Sequence, residues 1–157
     1  MKIEWKNLEK KDFDKLVDFF AMLGKETMDM WRHYGPSSPQ YKAVKTFEEN
    51  SAKIIGWVEG EIIAYGYLVN DQLYPKVPAL GMVVRDDYQG MGIGKECAKE
   101  LIKLGKETGA EAIYLTTFEK NKRAQSIYEQ LGWQKVGIIY SWKKKSIQYK
   151  LWLEKEK

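Results

Sequence analysis

The segment Val83-Val84-Arg85-Asp86-Asp87-Tyr88-Gln89-Gly90-Met91-Gly92-Ile93-Gly94-Lys95 constrains the chain more than any other. A short apolar strand, 79–84, runs into a loop with three glycines. The loop runs into a helix whose apolar face is marked by Cys97, Ala98, Leu101, Ile102 and Gly105. The first turn of a helix leaves backbone N–H groups without intrahelical partners. Glycines let those groups converge and let a ligand approach the backbone. The helix dipole favours an anion there, and Lys95 and Lys99 add positive charge. The expectation is a phosphate-binding loop, with a plain structural turn as the alternative. Two familiar phosphate patterns fail. The P-loop needs Ser or Thr after Gly-Lys, but Glu96 follows Gly94-Lys95, and Gln89 stands where its first glycine belongs. The dinucleotide pattern needs a third glycine where Lys95 or Cys97 stands. What remains is Gln-x-x-Gly-x-Gly, at Gln89, Gly92 and Gly94.

Other chemistries are excluded by count. The chain of 157 residues holds one cysteine and one histidine. A disulfide within the chain, a Cys-rich zinc site and the multi-histidine metal motifs all fail, so no metal is expected. The length predicts one domain, 1–157. Apolar residues at 44% and charged residues at 31% fit a folded protein. A net charge of +4 suits an anionic ligand but is too small to argue for nucleic acid. The longest uncharged apolar run, 62–69, has eight residues, against about 20 for a membrane span. The start Met-Lys-Ile-Glu-Trp-Lys lacks the apolar core of a signal peptide. With a free thiol, the expected location is the cytoplasm.

Strands are predicted at Ile3–Trp5, 53–58, 62–69, 79–84, 112–117, 134–140 and 146–153. Glu59-Gly60-Glu61 reads as a tight hairpin turn. Asp12 and Asp14 open a helix whose stripe is Phe13, Leu16, Val17, Phe20 and Leu23. After the loop 35–39 a helix is predicted over 40–50. Asn121 caps a helix carrying Ala124, Ile127, Tyr128 and Leu131, and Gly132 closes it. Strands and helices do not alternate strictly. The expected class is therefore α+β in three layers, with a mixed, mostly antiparallel sheet of about seven strands and helices on both faces.

Two motifs in this order resemble the GCN5-related N-acetyltransferase (GNAT) family. One is Gln89-x-x-Gly92-x-Gly94. The other is Asn121-Lys122-Arg123-Ala124-Gln125-Ser126-Ile127-Tyr128-Glu129-Gln130-Leu131-Gly132-Trp133, similar to the family's Asn-x-x-Ala-x-x-x-Tyr-x-x-x-Gly-Phe with Trp for Phe. The resemblance covers nearly the whole chain. It implies the acyl-CoA N-acyltransferase fold, acetyl-CoA as co-substrate, and transfer of acetyl to a primary amine of a small molecule or of a protein or peptide. The transfer is a direct attack in a ternary complex. A non-catalytic acyl-CoA-binding sensor or interaction module on the same fold is the alternative, and a nucleic-acid binder is a remoter one.

The resemblance also implies roles. Strands 79–84 and 112–117 splay apart, with Gly81 at a bulge that causes the splay. Met82, Val83 and Val84 offer backbone groups to the pantetheine arm and one N–H to the thioester oxygen. Gln89, Gly90, Met91, Gly92, Ile93, Gly94 and Lys95 hold the pyrophosphate. Asn121 and Ala124 border the pantetheine. Tyr128 protonates the departing thiolate. The strand before the loop carries no carboxylate, so Glu119 is the leading candidate base, ahead of Glu26, Asp29 and His33. The acceptor is expected near Trp31, Arg32, His33 and Tyr34, whose alternative role is core packing. Cys97 is expected buried and inert. A homodimer is expected to form, if at all, through an exposed strand at 146–153.

Overall fold

A computed structural model describes residues 1–30, 38–49, 51–141 and 144–154. The strands β1 (Glu4–Asn7), β2 (Ser51–Val58), β3 (Glu61–Val69), β4 (Ala79–Val84), β5 (Ala112–Phe118), β6 (Gln134–Ser141) and β7 (Lys144–Trp152) form one sheet, in the order β1-β2-β3-β4-β5-β7-β6. Every neighbouring pair is antiparallel except β4–β5. Helices α1 (Phe13–Ala21), α2 (Lys25–Met30) and α3 (Pro39–Glu48) precede β2. Helix α4 (Ile93–Glu107) joins β4 to β5, and α5 (Lys122–Gln130) joins β5 to β6. The mixed, mostly antiparallel sheet of seven strands is the one expected.

Alternation along each strand sends successive side chains to opposite faces. Tyr65 and Val83 pack with Leu16, Phe19 and Phe20 of α1 and Ala43 of α3. Leu68, Leu80, Ile113 and Leu115 pack on the other face with Cys97 and Leu101 of α4 and Tyr128 of α5. Burying side chains of this size from water contributes roughly 1.5–3 kcal/mol each. Three layers follow from these two apolar clusters.

Local signals place the ends of the elements. Glu59 and Gly60 adopt φ of 49° and 80° and join the paired residues Val58 and Glu61. Two left-handed residues in a two-residue loop match the strand twist. The Ser38 hydroxyl accepts from Tyr41 N at 3.4 Å, and Pro39 opens α3 one residue earlier than expected. The Asn121 side chain accepts from Ala124 N at 3.2 Å, the predicted cap of α5.

Two expectations are corrected. Gly81 is not at a bulge: the β3–β4 register runs unbroken from Ala64↔Val84 to Val69↔Ala79, and Tyr67 faces Gly81 directly. The register shifts lie at Gly56/Trp57 and Lys135/Gly137. Glycine is needed at 81 because the Tyr67 ring crosses it, so that a Cβ there would run into the ring's hydroxyl end. The second correction concerns the strand at 146–153. It is not exposed, because β7 is hydrogen-bonded to β5 on one side and β6 on the other. The sheet's edges are β1 and β6, so β7 has no edge to offer a second copy.

The Gly81–Tyr67 contact yields a stability prediction. Gly81→Ala forces an atom into filled space and costs about 1–3 kcal/mol in urea unfolding. In a double-mutant cycle with Tyr67→Ala the two changes are non-additive by more than about 0.5 kcal/mol. Additive costs would mean that the ring does not set this requirement.

Candidate active site

The parallel pair β4–β5 is held by one matched position, Ala79↔Tyr114. Beyond it, β4 keeps its β3 partner as far as Val84, while β5 turns to β7 for its whole length. The edge of β4 that faces β5 therefore lacks a strand partner over Gly81, Met82, Val83 and Val84. Backbone N–H and C=O groups in such a place require hydrogen bonds from elsewhere. Met82 and Val84 turn towards α4, within 3.7 and 3.9 Å of where a Cβ at Gly94 would stand, and Val83 packs on the α1 side.

The chain leaves β4 through a 3-10 turn, Asp86–Tyr88, braced by a buried guanidinium. Arg85 donates from Nε to Asp87 Oδ1 at 2.7 Å, from Nη2 to Asp87 Oδ2 at 2.9 Å, and from Nη1 to Glu61 Oε2 at 3.4 Å. It also lies 5.0 Å from the Tyr88 ring centroid. The fork geometry of arginine suits such a two-point pair. Hydrogen bonds and charge from Arg85 hold the Asp87 carboxyl below the usual range. Asp86 reaches the other way, accepting from Gly24 N at 3.0 Å between α1 and α2.

Gln89 is a brace. Its Nε2 donates to Val84 O at 2.9 Å and to Thr27 Oγ1 of α2 at 3.2 Å. Its Oε1 accepts from Arg123 Nη1 of α5 at 3.0 Å. One side chain thus ties the loop to β4, α2 and α5. Thr27 and Arg123 were not singled out from sequence. Arg123 lies inside the second motif at a position the pattern leaves open, and Thr27 becomes visible only once α2 is placed.

Past Gln89, Gly90 and Gly92 take φ of 79° and 81°, and the space beside each is open for 4 Å. Gly92 is the N-cap of α4, and its C=O accepts from Glu96 N at 3.1 Å. The N–H groups of Ile93, Gly94 and Lys95 precede that first intrahelical bond, at the positive end of a fifteen-residue helix. Ile93 is buried and anchors the turn, whereas Met91 is 61% exposed. A Cβ on Gly94 would stand 3.1 Å from Ile127, so glycine there lets α4 and α5 approach. Lys95 bonds Gln130 Oε1 at 3.3 Å, also across to α5. An open glycine cradle before unmatched helix N–H groups fits an anion of diphosphate size.

On α5, Tyr128 is 6% exposed, with ring centroids 5.4 Å from Trp133 and 6.2 Å from Tyr149. Burial pushes its hydroxyl up from the usual phenol range, and the neighbouring Cys97 and Tyr67 push the same way. Trp133, which replaces the family's Phe, is accommodated because its indole N–H reaches Ile113 O at 3.2 Å. Cys97 is fully buried, and burial pushes its thiol up. Glu119 is paired with Lys145 at 2.8 Å, and the hydrogen bond and charge of that lysine hold its carboxyl low. A carboxylate stabilised in this way is a weak proton acceptor. Glu26 is exposed on α2. Trp31, Arg32, His33 and Tyr34 lie outside the described residues, as does the side chain of Asp29. Among the described residues, no cluster of three or more His, Cys, Asp or Glu could hold a metal, and no helix is long and apolar enough to cross a membrane.

The family model for the acetyltransferase (GNAT) family matches residues 15–133. No curated protein matches the chain. Several solved structures share the fold. The ribosomal-protein-S5-alanine acetyltransferase of Vibrio fischeri superposes with a TM-score of 0.83 at 14% identity, over 97% of this chain and 93% of that one. Salmonella typhimurium yncA, with its cofactor acetyl-CoA, gives 0.77 at 10% identity, over 100% and 97%. A spermidine N-acetyltransferase chimera of Vibrio cholerae SpeG and hSSAT gives 0.76 at 13% identity, over 97% and 96%.

The burial of Cys97 is open to a direct chemical check. In the native protein at pH 8, thiol reagents leave it unmodified over an hour, and it reacts within minutes in denaturant. The thiolate is the reactive form, and burial disfavours it. Rapid labelling of the native protein would place this thiol within reach of solvent.

Proposed function

The chain belongs to the GNAT acetyltransferase family, and on that premise we propose that it moves the acetyl group of acetyl-CoA to a primary amine of a small molecule, peptide or protein. The observation that carries this reading is the free edge of β4 over Gly81–Val84, which leads directly into the open glycine cradle at the start of α4. One element offers a ladder of backbone groups and then an anion site, the pattern an extended amide arm ending in a diphosphate needs. A cytoplasmic setting, where a reduced thiol persists, goes with the proposal.

Acetyl-CoA supplies an activated thioester when bound. The N–H groups of Ile93, Gly94 and Lys95, with the backbone of Gly90, Met91 and Gly92, would hold its diphosphate. Gln89 keeps that loop in shape through its three bonds. Met82 and Val84, whose backbone groups face the gap, would pair with the pantetheine amides and turn one N–H to the thioester oxygen, whereas Val83 is turned to β3 and takes no part. Asn121 spends its Oδ1 on the cap of α5, which leaves Nδ2 to donate to the arm alongside Ala124. Tyr128, protonated because it is buried, donates to the sulfur as it leaves. In the balanced transfer the N–C bond forms and the C–S bond breaks. The Tyr128 proton goes to sulfur, and the amine's proton goes to water, from which Tyr128 is reprotonated. Glu119 is not assigned the base role, because Lys145 already holds its charge.

Release of free thiol from acetyl-CoA with a panel of amines and peptides tests the activity. Binding of coenzyme A with no release for any amine would make the chain a binding module instead. Tyr128→Phe lowers turnover about ten-fold or more at saturating acceptor, with coenzyme A affinity little changed. Wild-type turnover in that variant would remove Tyr128 from the chemistry. Because the Tyr128 pKa is raised, its acid form persists through alkaline pH. The wild-type rate therefore rises from pH 7 to pH 9 as the acceptor amine loses its proton, with no falling limb from Tyr128. Gly92→Ala puts a Cβ on a left-handed residue, at about 1–2 kcal/mol, and calorimetry finds coenzyme A bound about ten-fold more weakly.

A further inference from the structure

The β4–β5 gap is closed at one end and open at the other. At the closed end stands the rung Ala79↔Tyr114, with backbone bonds from Tyr114 N to Pro78 O at 2.9 Å and from Glu111 N to Lys76 O at 2.8 Å. At the open end β4 leads into the glycine cradle and α4. An extended arm held there by its diphosphate passes Val84 first and Met82 second, so its acyl end points to the closed end. The next residue in that direction is Gly81, about 3.3 Å further along the strand.

Gly81 is where the gap is narrowed from the α1 side. Tyr67 of β3 is paired with Gly81, and its ring leans across β4 so that the hydroxyl end occupies the place of a Cβ. The ring is held there by the fully buried Tyr65, with centroids 5.7 Å apart, and Tyr65 meets Phe20 of α1 edge-on at 6.5 Å. On the same face Tyr114 of β5 is fixed by its neighbours. Its Oη lies 3.1 Å from Thr116 Oγ1 and accepts from Gln148 Nε2 of β7 at 2.5 Å. On the α4 face the gap is floored by the buried Leu80, Leu115 and Tyr128, with Met82 packed on the same cluster. Tyr67 is near enough to Tyr128 for its charge to contribute to raising the Tyr128 pKa. The space beside Gly81 thus has a ring above it, an apolar floor below and a bonded strand pair at its end.

Such a space discriminates by length. An acetyl group ends one carbon past the thioester carbonyl, whereas a butyryl group carries two more carbons, at about 1.5 Å per bond. Those carbons reach the level of the Tyr67 ring, and a packed wall admits extra carbons only with strain. The volume of the ring does this, and its hydroxyl takes no part.

We propose that Tyr67 sets the acyl length, closing the donor pocket at Gly81 so that acetyl is accepted and butyryl is rejected. This rests on the acetyltransferase reading above.

The test is calorimetry with acetyl-CoA and butyryl-CoA, which needs no acceptor, with coenzyme A as the acyl-free reference. Wild-type protein, Tyr67→Phe, Tyr67→Leu and Tyr67→Ala are compared. The wild type binds butyryl-CoA about five-fold or more weakly than acetyl-CoA. Tyr67→Ala brings the two within about two-fold or reverses their order, since each newly buried methylene is worth about four-fold in affinity. Tyr67→Leu moves the ratio the same way by a smaller factor and covers the case in which Tyr67→Ala misfolds. Tyr67→Phe, which keeps the ring, keeps the wild-type ratio within about two-fold. A wild-type ratio below about five-fold, a ratio unmoved in both Tyr67→Leu and Tyr67→Ala, or a ratio moved as far in Tyr67→Phe as in Tyr67→Leu overturns the inference. In each of these cases the acetyltransferase reading survives. Binding of none of the three compounds by the wild type overturns that reading, and this inference with it.

Discussion

The structure turns on one unfinished pairing. Strands β4 and β5 match at Ala79↔Tyr114 and then part, each keeping an antiparallel neighbour on its far side. Closing the gap would give β4 a complete ladder and leave no room for an extended guest. Leaving it open strands the Met82 N–H and C=O and the Val84 N–H, because Gly81 and Val83 are turned to β3 and Val84 O accepts from Gln89. The fold tolerates this because β3 and β7 hold the two strands in place from outside, through six and seven matched positions respectively. The apolar cluster joining Leu80, Leu115 and Tyr128 closes the gap from beneath.

The loop beyond β4 answers a second constraint. Glycines at 90 and 92 give the backbone left-handed freedom, and freedom costs order. Order is restored by side chains outside the open cradle. Arg85 holds the preceding turn through Asp87 and Glu61, Asp86 is tied to Gly24, and Gln89 grips Val84, Thr27 and Arg123. The side chains of Arg85, Asp86, Asp87 and Gln89 are thus engaged with protein partners, while the space beside Gly90 and Gly92 stays open. The same bonds fasten α2 to the glycine loop, so the α1 side of the gap and the start of α4 are positioned by one set of contacts.

Much of this was legible from the sequence, for local reasons. The strand–glycine loop–helix order around 90, 92 and 94, the cap at Asn121 and the apolar strand at 79–84 are each read within a few residues, and the structure has them there. What escaped was long-range. The order that puts β7 between β5 and β6 cannot be read from the two strands' own patterns, so 146–153 was taken for an edge. Gly81 looked like a bulge because a strand glycine has two common causes, and the Tyr67 ring responsible lies fourteen residues away on β3. The Glu119–Lys145 pair joins two separate segments and is not readable from either one. The Tyr114–Thr116–Gln148 cluster likewise needs the β5–β7 register before its members meet.

Two phenols near the gap, Tyr128 and Tyr67, are set in different environments by the fold. Tyr128 sits among Trp133, Tyr149 and Cys97, where burial disfavours the phenolate and keeps the proton in place. A group so placed keeps its proton through alkaline pH and remains a hydrogen-bond donor. Tyr67 comes from the opposite face, half-buried, with its oxygen end lying over Gly81 of β4. It has more access to water than Tyr128. The asymmetry of the two faces is set by which residues of β3 and α5 are large and which of β4 are small: a ring on β3 can cross to the gap only where β4 carries a glycine, and a ring on α5 only where the cluster around Leu80 and Leu115 encloses it.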